Sequence, residues 1–170
     1  MIWYSVTLPL FLLVALTQTA TIHGFSLSGA RADVLLVVVA GWAVVRVPKE
    51  AMLAAPPSAI VAGLLGASPA GTPLLMILAP VGLALLVHDR PGGDRLTALW
   101  LVIGLSTVWA LGIELIIDIL SGQKGIHLTG IASVLLGEVV LNVLLSTLIY
   151  APLRIARKRG EVHRARLSLS

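Results

Sequence analysis

The sequence predicts an all-α integral membrane protein, a bundle of six transmembrane helices. Three observations point there. Of 170 residues, 58% are apolar and only 12% charged. The apolar residues gather into six runs separated by short polar turns, and the basic residues fall almost wholly on one side of those runs. Soluble proteins carry roughly a quarter charged residues. One core in a chain of this length could not hide so much apolar surface from water, so lipid is the expected solvent for most of it.

A helix needs about 20 apolar residues to cross a hydrocarbon layer about 30 Å thick. The first run, 2–22, meets this, with only Ser, Thr and Gln18 as polar interruptions. No positive side chain occurs in 1–4 and no A-x-A cleavage signal follows, so it reads as a retained span and not a signal peptide. The second, 32–45, is a dense but short Val/Leu run bounded by Asp33 and Arg46. The third, 51–67, is rich in Gly and Ala and broken by Pro56-Pro57. The fourth, 72–87, lies between Pro73 and the polar turn 88–95. The fifth and sixth, 96–120 and 128–153, are long and continuous. The turns 23–31, 46–50, 68–71, 88–95 and 121–127 are too short to hold a soluble domain. The chain therefore divides into one transmembrane domain, 1–156, and a basic tail, 157–170.

Positive charge orients the bundle. With a cytoplasmic N-terminus, the inner segments hold Arg46, Lys49, Arg90, Arg95 and six residues of the stretch 154–166, ten in all. The outer segments hold Arg31 and Lys124. Both termini are thus expected in the cytoplasm. Trp3, Tyr4, Trp42, Trp100 and Tyr150 fall at the same predicted ends, where amphipathic rings favour the headgroup boundary; only Trp109 lies deep. The sequence pI of about 10.1 comes largely from that tail. Arg154, Arg157, Lys158 and Arg159 form a juxtamembrane cluster suited to anionic lipid or to topology, not to a nucleic-acid groove.

Carboxylates inside spans mark pathways or partner contacts. Glu114 and Asp118 are four apart and share one face near the outer end of the fifth span. Glu138 lies near the middle of the sixth, followed at the same spacing by Asn142 and Ser146. Gly130, Ser133 and Gly137 form a strip of small residues that admits a second helix closely. These positions form either a polar seam or a crevice open to the outer face that receives a partner or ligand, or a bundle in which Glu138 is protonated or bonds Asn142 and Asp118 simply reaches the headgroups.

Signs of catalysis are few. The chain has no cysteine, which excludes disulfides, thiolate metal sites and thiol nucleophiles. His23, His88, His127 and His163 share no metal-ligand spacing. Gly104-Leu105-Ser106 faintly resembles an intramembrane serine protease, but no span supplies a histidine base. No glycine loop suited to phosphate is present, so neither cofactor nor metal is expected and the chain reads as no enzyme.

From Leu27 onward the pattern resembles the rod shape-determining protein MreD family, small membrane proteins of the bacterial cell-elongation machinery. Arg31-Ala32-Asp33 is similar to the Arg-Pro-Asp-like motif that opens the family's second span, and a Leu/Val run with Trp42 follows. Arg46-Val47-Pro48-Lys49-Glu50 resembles its inner turn, and the glycine-rich stretch 63–71 its outer turn. Asn142, then Tyr150-Ala151-Pro152-Leu153-Arg154 and a basic tail, resemble its ending. The match departs where the family carries an acidic residue and Ser-Gly before the outer turn. Here Gly63, Gly66 and Ala67 stand, and Asp118-Ile119-Leu120-Ser121-Gly122 has that wording one hairpin later.

The resemblance implies a non-enzymatic scaffold in the inner membrane that binds MreC. Through it the chain would meet RodA, the elongation transpeptidase and MreB filaments, supporting peptidoglycan synthesis and cell shape. It implies Arg31 and Asp33 at the outer mouth, with Trp42, Glu114, Asp118, Gly130, Gly137, Glu138 and Asn142 as bundle or partner surface. The family's fold also resembles the substrate-binding subunits of ECF transporters. The alternative is therefore a small-molecule binding subunit, although an aromatic content of 5% is low for such a pocket.

Overall fold

The computed structural model describes residues 4–21, 26–27, 30–66, 69, 71–88, 94–122 and 128–167, with side chains at 6–20, 30–66, 69, 71–88, 94–122, 130–155 and 157. Trp3, His23, Ala67, Arg90, Lys124 and His127 lie outside the described residues, as do the side chains of Tyr4, Lys158, Arg159, His163, Arg164 and Arg166.

Among the described residues the chain forms six helices, α1 (Tyr4–Thr21), α2 (Val34–Val45), α3 (Pro48–Leu65), α4 (Thr72–His88), α5 (Arg95–Leu120) and α6 (Leu128–Leu167). Between α1 and α2 lies a two-stranded antiparallel ladder, β1 (Ser26–Leu27) and β2 (Ala30–Arg31), pairing Leu27 with Ala30. The stretch 23–31, expected as a plain turn, thus contains a small hairpin. Short strands let this connection satisfy its own backbone groups locally.

α2 is the hub. Every residue from Leu35 to Val45 is buried, and α1, α3, α4, α5 and α6 all pack against it. Its sequence is apolar on all sides, and such a helix needs neighbours on all sides. The outer helices form an arc in the order α1–α3–α4–α5–α6. At 12 residues, α2 is about 18 Å long, so it is shorter than its surroundings.

The helix ends follow local chemistry. Asp33 caps α2, its Oδ1 accepting the Leu36 amide at 2.9 Å. Arg46 and Val47 break the helix, and Pro48 starts α3 at its first turn, where a missing N–H costs nothing. The inner turn 46–50 is therefore shorter than expected, and α3 begins earlier than 51. Asp94 caps α5 through the Leu96 amide, 3.3 Å, and the Thr97 hydroxyl, 3.1 Å. α5 ends at Leu120 with Ser121 as its C-cap, and the next residue, Gly122, has a φ of +72° that suits a residue without Cβ. α6 runs unbroken to Leu167, so the basic tail is the continuation of that helix and not a separate element.

The interior is mainly apolar, with some polar side chains enclosed, and large apolar side chains also cover the outside. Thr7, Ser58, Ser106, Thr107, Asn142 and Ser146 are buried, while Leu120 is 80% and Leu148 74% exposed. Large exposed apolar side chains occur on α1, α3, α4, α5 and α6. Two stretches, Arg95–Leu120 and Gly130–Ile155, are long and apolar enough to cross a membrane. Only 28% and 11% of their apolar windows are buried, whereas the core helix of a soluble protein is mostly buried. Val6–Ala20, Val34–Val45 and Thr72–His88 are shorter apolar helices.

Candidate functional site: a polar cluster at the head of α2

An α-helix begins with amide groups that have no partner within the helix. Deep in a bundle those groups must be met by side chains, and α2 meets them with three. Gln18 of α1 accepts the Leu35 amide through Oε1 at 2.6 Å and donates from Nε2 to Asp33 Oδ1 at 3.0 Å. Asp33 Oδ1 also takes the Leu36 amide. Asn142 of α6 accepts the Asp33 amide through Oδ1 at 2.9 Å and donates from Nδ2 to Thr107 Oγ1 at 3.0 Å. Thr107 passes the chain on to the Ile103 carbonyl at 2.9 Å. One continuous path of hydrogen bonds thus joins α1, α2, α6 and α5.

Above this path lie the charges. A backbone hydrogen bond joins Glu138 to Arg31. Glu138 lies within electrostatic reach of Glu114, Asp33 and Arg31, and Glu114 within reach of Asp33, Asp118 and Arg31. The fold therefore gathers Arg31, Asp33, Glu114, Glu138 and Asn142 at one end of the bundle from four elements. Asp118 stands at the exposed margin, one turn beyond Glu114. Glu138 has Arg31 as its hydrogen-bonded neighbour, while the amide of Asn142 is spent on Asp33 and Thr107. The expected Glu138–Asn142 bond is replaced by these partners.

Gly137 has a local task. A Cβ at that position would come within 2.7 Å of Ala30 Cβ, so its absence seats the hairpin directly on α6. The expected approach of a further helix at Gly137 is thus taken by β2. Gly130 is exposed with open space around it, and Ser133 turns back to the Gly130 carbonyl at 2.8 Å.

Trp42 belongs to the opposite end. Its ring meets Phe11 edge-on at 6.0 Å, its Nε1 donates to Glu50 Oε2 at 3.0 Å, and the Arg46 guanidinium lies 4.6 Å from its centroid. Trp42 is 3% exposed, so it is a packed core residue and not part of a lipid-facing belt. Being on the helix that all others surround, it has no route to the headgroups. Trp100 and Trp109 are part-exposed and tie helices together, to Thr147 Oγ1 at 3.2 Å and the Leu75 carbonyl at 2.9 Å. Arg154 is exposed and Arg157 half-buried near the end of the described side chains.

Sequence reasoning assigned no contact within the bundle to Gln18, Thr107, Arg46 or Glu50. Gln18 carried a signal, being an amide in an otherwise apolar span. Thr107 carried none, since threonine is common in apolar helices. Among the described residues no three His, Asp or Glu side chains are grouped to hold a metal ion. What the cluster can do is bind: its donors and acceptors clamp helices together. None of the family models, curated proteins or solved structures compared with the chain matches it.

Proposed function

We propose that the chain is a six-span protein of the bacterial inner membrane, with both ends cytoplasmic, that works as a non-enzymatic scaffold of the MreD type. In this reading it holds the membrane segment of MreC and so supports RodA, the elongation transpeptidase and MreB in building the cell-wall cylinder. The observation that carries the reading is the apolar exterior: leucines face out on five helices, while the amides of Gln18 and Asn142 are spent on helix contacts inside. An aqueous surface of that kind would aggregate, whereas lipid solvates it.

The shortness of α2 fits a six-span bundle. A helix enclosed by five others does not face lipid, and irregular backbone is tolerated at membrane depth where protein buries it. Gln18 and Asn142 do that work at the outer end, and the Trp42–Glu50 bond at the inner end. A scaffold reading suits a cluster whose polar groups are committed to holding helices. The exposed outer halves of α5 and α6, with Glu114, Asp118 and Gly130, then offer a surface for a partner helix.

Co-expression with MreC tests the partner. The two should co-elute from a detergent column; complete separation, with a small ligand raising the melting temperature of the chain alone, would favour the transporter-subunit reading instead. Topology is tested separately. Because the chain has no cysteine, single cysteines at Gly130 and Arg154 report cleanly. An impermeant maleimide should reach the first from outside the cell and the second only after lysis. The opposite pattern inverts the proposal.

A further inference from the structure

The helices of this bundle differ in length, and the hydrogen bonds between them fix where the difference falls. α1 and α3 have 18 residues each and α4 has 17, whereas α5 has 26. The apolar stretch of α6, Gly130–Ile155, also has 26. At about 1.5 Å per residue the short helices reach about 26 Å and the long ones about 39 Å. At one end they start together, for Arg95, the first residue of α5, donates to the carbonyl of Val45, the last of α2, at 3.2 Å. The surplus therefore lies at the other end, beyond the head of α2. Thr107 and Asn142 mark that level on α5 and α6. From there α5 runs on to Leu120 and α6 reaches back to Leu128, about 20 Å in each case. Gln18 marks the same level on α1, yet α1 stops at Thr21, about 5 Å on. On α4 the Leu75 carbonyl meets Trp109 at 2.9 Å, and that helix begins one turn away at Thr72.

We infer that the outer leaflet is thinned against the α1–α3–α4 flank, so that phospholipid headgroups and water descend there to the charged groups at the head of α2, while α5 and α6 keep full-depth lipid on their outward side. The inference rests on the membrane-spanning reading above. A hydrocarbon layer about 30 Å thick is taller than the short flank and lower than the long one. Bilayers meet a short apolar stretch by thinning, at modest cost. The placement of the polar groups agrees. Glu138 lies one turn beyond Asn142 and Glu114 two turns beyond Thr107, both within electrostatic reach of Arg31 and Asp33. Measured along α5 and α6 these carboxylates stand about 9–12 Å inside the apolar stretch; measured from the ends of α1 and α4 they stand at its edge. Arg31 and Glu114 are exposed, and charge is expensive in hydrocarbon, so a boundary at the height of the short flank removes that cost. The same boundary cannot run all round the bundle. Ile116, Ile119, Leu120 and Leu136 are more than half exposed beyond the head of α2, and it would leave them in water.

The test compares two exposed sites at one height. Ala20 on α1 and Val140 on α6 are exposed, and each lies about 3 Å beyond the head of α2. The chain has no cysteine, so Ala20→Cys and Val140→Cys each report alone. The full chain is placed in nanodiscs of dioleoylphosphatidylcholine, which present both membrane faces, and treated with a charged maleimide. Each rate is divided by that of the same variant unfolded in detergent, and gel filtration confirms intact protein. Ala20→Cys should react at least about tenfold faster than Val140→Cys, because only the thiolate reacts and hydrocarbon suppresses it. Leu136→Cys, about 6 Å farther out than Val140, should also be slower than Ala20→Cys, which keeps the comparison should Val140→Cys misfold. No partner is present, so lipid alone sets the order. Two fast sites would mean that α5 and α6 stand in water, and two slow sites that full-depth lipid surrounds the whole bundle; either result overturns the thinning. A chain absent from the membrane fraction would sink the spanning reading itself, whereas a membrane-integrated chain with equal rates sinks only this inference.

Discussion

Asn142 Oδ1 accepts the backbone amide of Asp33 at 2.9 Å across 109 positions of sequence. The same side chain donates to Thr107, so one amide on α6 joins the head of α2 to α5. It is 1% exposed. A buried amide in this place is a clamp, because each of its bonds replaces one that water cannot supply there.

Replacing Asn142 by Leu therefore leaves the Asp33 amide and the Thr107 hydroxyl without this partner. Unsatisfied buried groups cost about 1–3 kcal/mol, moderated in membranes where polar cycles average about 0.6 kcal/mol. We expect a clear drop in melting temperature in detergent. The Asn142→Ala and Thr107→Ala changes should be non-additive in a double-mutant cycle. Strict additivity would show that the pair does not interact.

Gln18 should behave similarly at the other flank of α2. Gln18→Leu removes the acceptor of the Leu35 amide and the donor to Asp33 together, and should lower stability by about 1–2 kcal/mol. Gln18→Glu keeps the acceptor but sets a second carboxylate beside Asp33, so it should be no better than Leu. Full stability in Gln18→Glu would count against the geometry.

Two glycines of similar crowding should respond differently. A Cβ at Gly41 would meet Leu153 Cδ1 at 2.9 Å, the far end of a flexible side chain, whereas at Gly137 it would meet Ala30 Cβ at 2.7 Å. Gly41→Ala should therefore be mild. Gly137→Ala should destabilise more, by about 1–3 kcal/mol as overpacking does, and Ala30→Gly should rescue it. Thermal unfolding of the three variants decides the matter.

At the C-terminal end of α2, Trp42→Phe keeps an aromatic body but strips Glu50 of its indole donor and weakens the face beneath Arg46. Leaving a carboxylate buried without its partner costs more than removing the charge with it. The double change Trp42→Phe with Glu50→Gln should thus be more stable than Trp42→Phe alone. A double variant weaker than the single would reject the pairing.

Much of the fold could be read along the chain, and the site less so. Continuous apolar runs are local signals, because helix formation depends on near neighbours, whereas α3 starts at Pro48, within a stretch that the sequence reads as a turn. The carboxylates and Asn142 stood out because polar groups in apolar runs are costly. Their partners did not, since Gln18 and Thr107 meet them only through packing. The hairpin beneath Gly137 and the enclosure of Trp42 were equally hidden, for a run of valines does not say which neighbours will cover it.

The sequence alone determined that this chain is helical and rich in apolar surface, because both follow from composition and short-range periodicity. Only the tertiary structure decided that α2 is the enclosed hub, that Gln18 and Asn142 seal its head, and that Arg31, Asp33, Glu114 and Glu138 share one end. Those relations join residues far apart in the chain, and what brings them together is the need to satisfy buried amides where no water reaches.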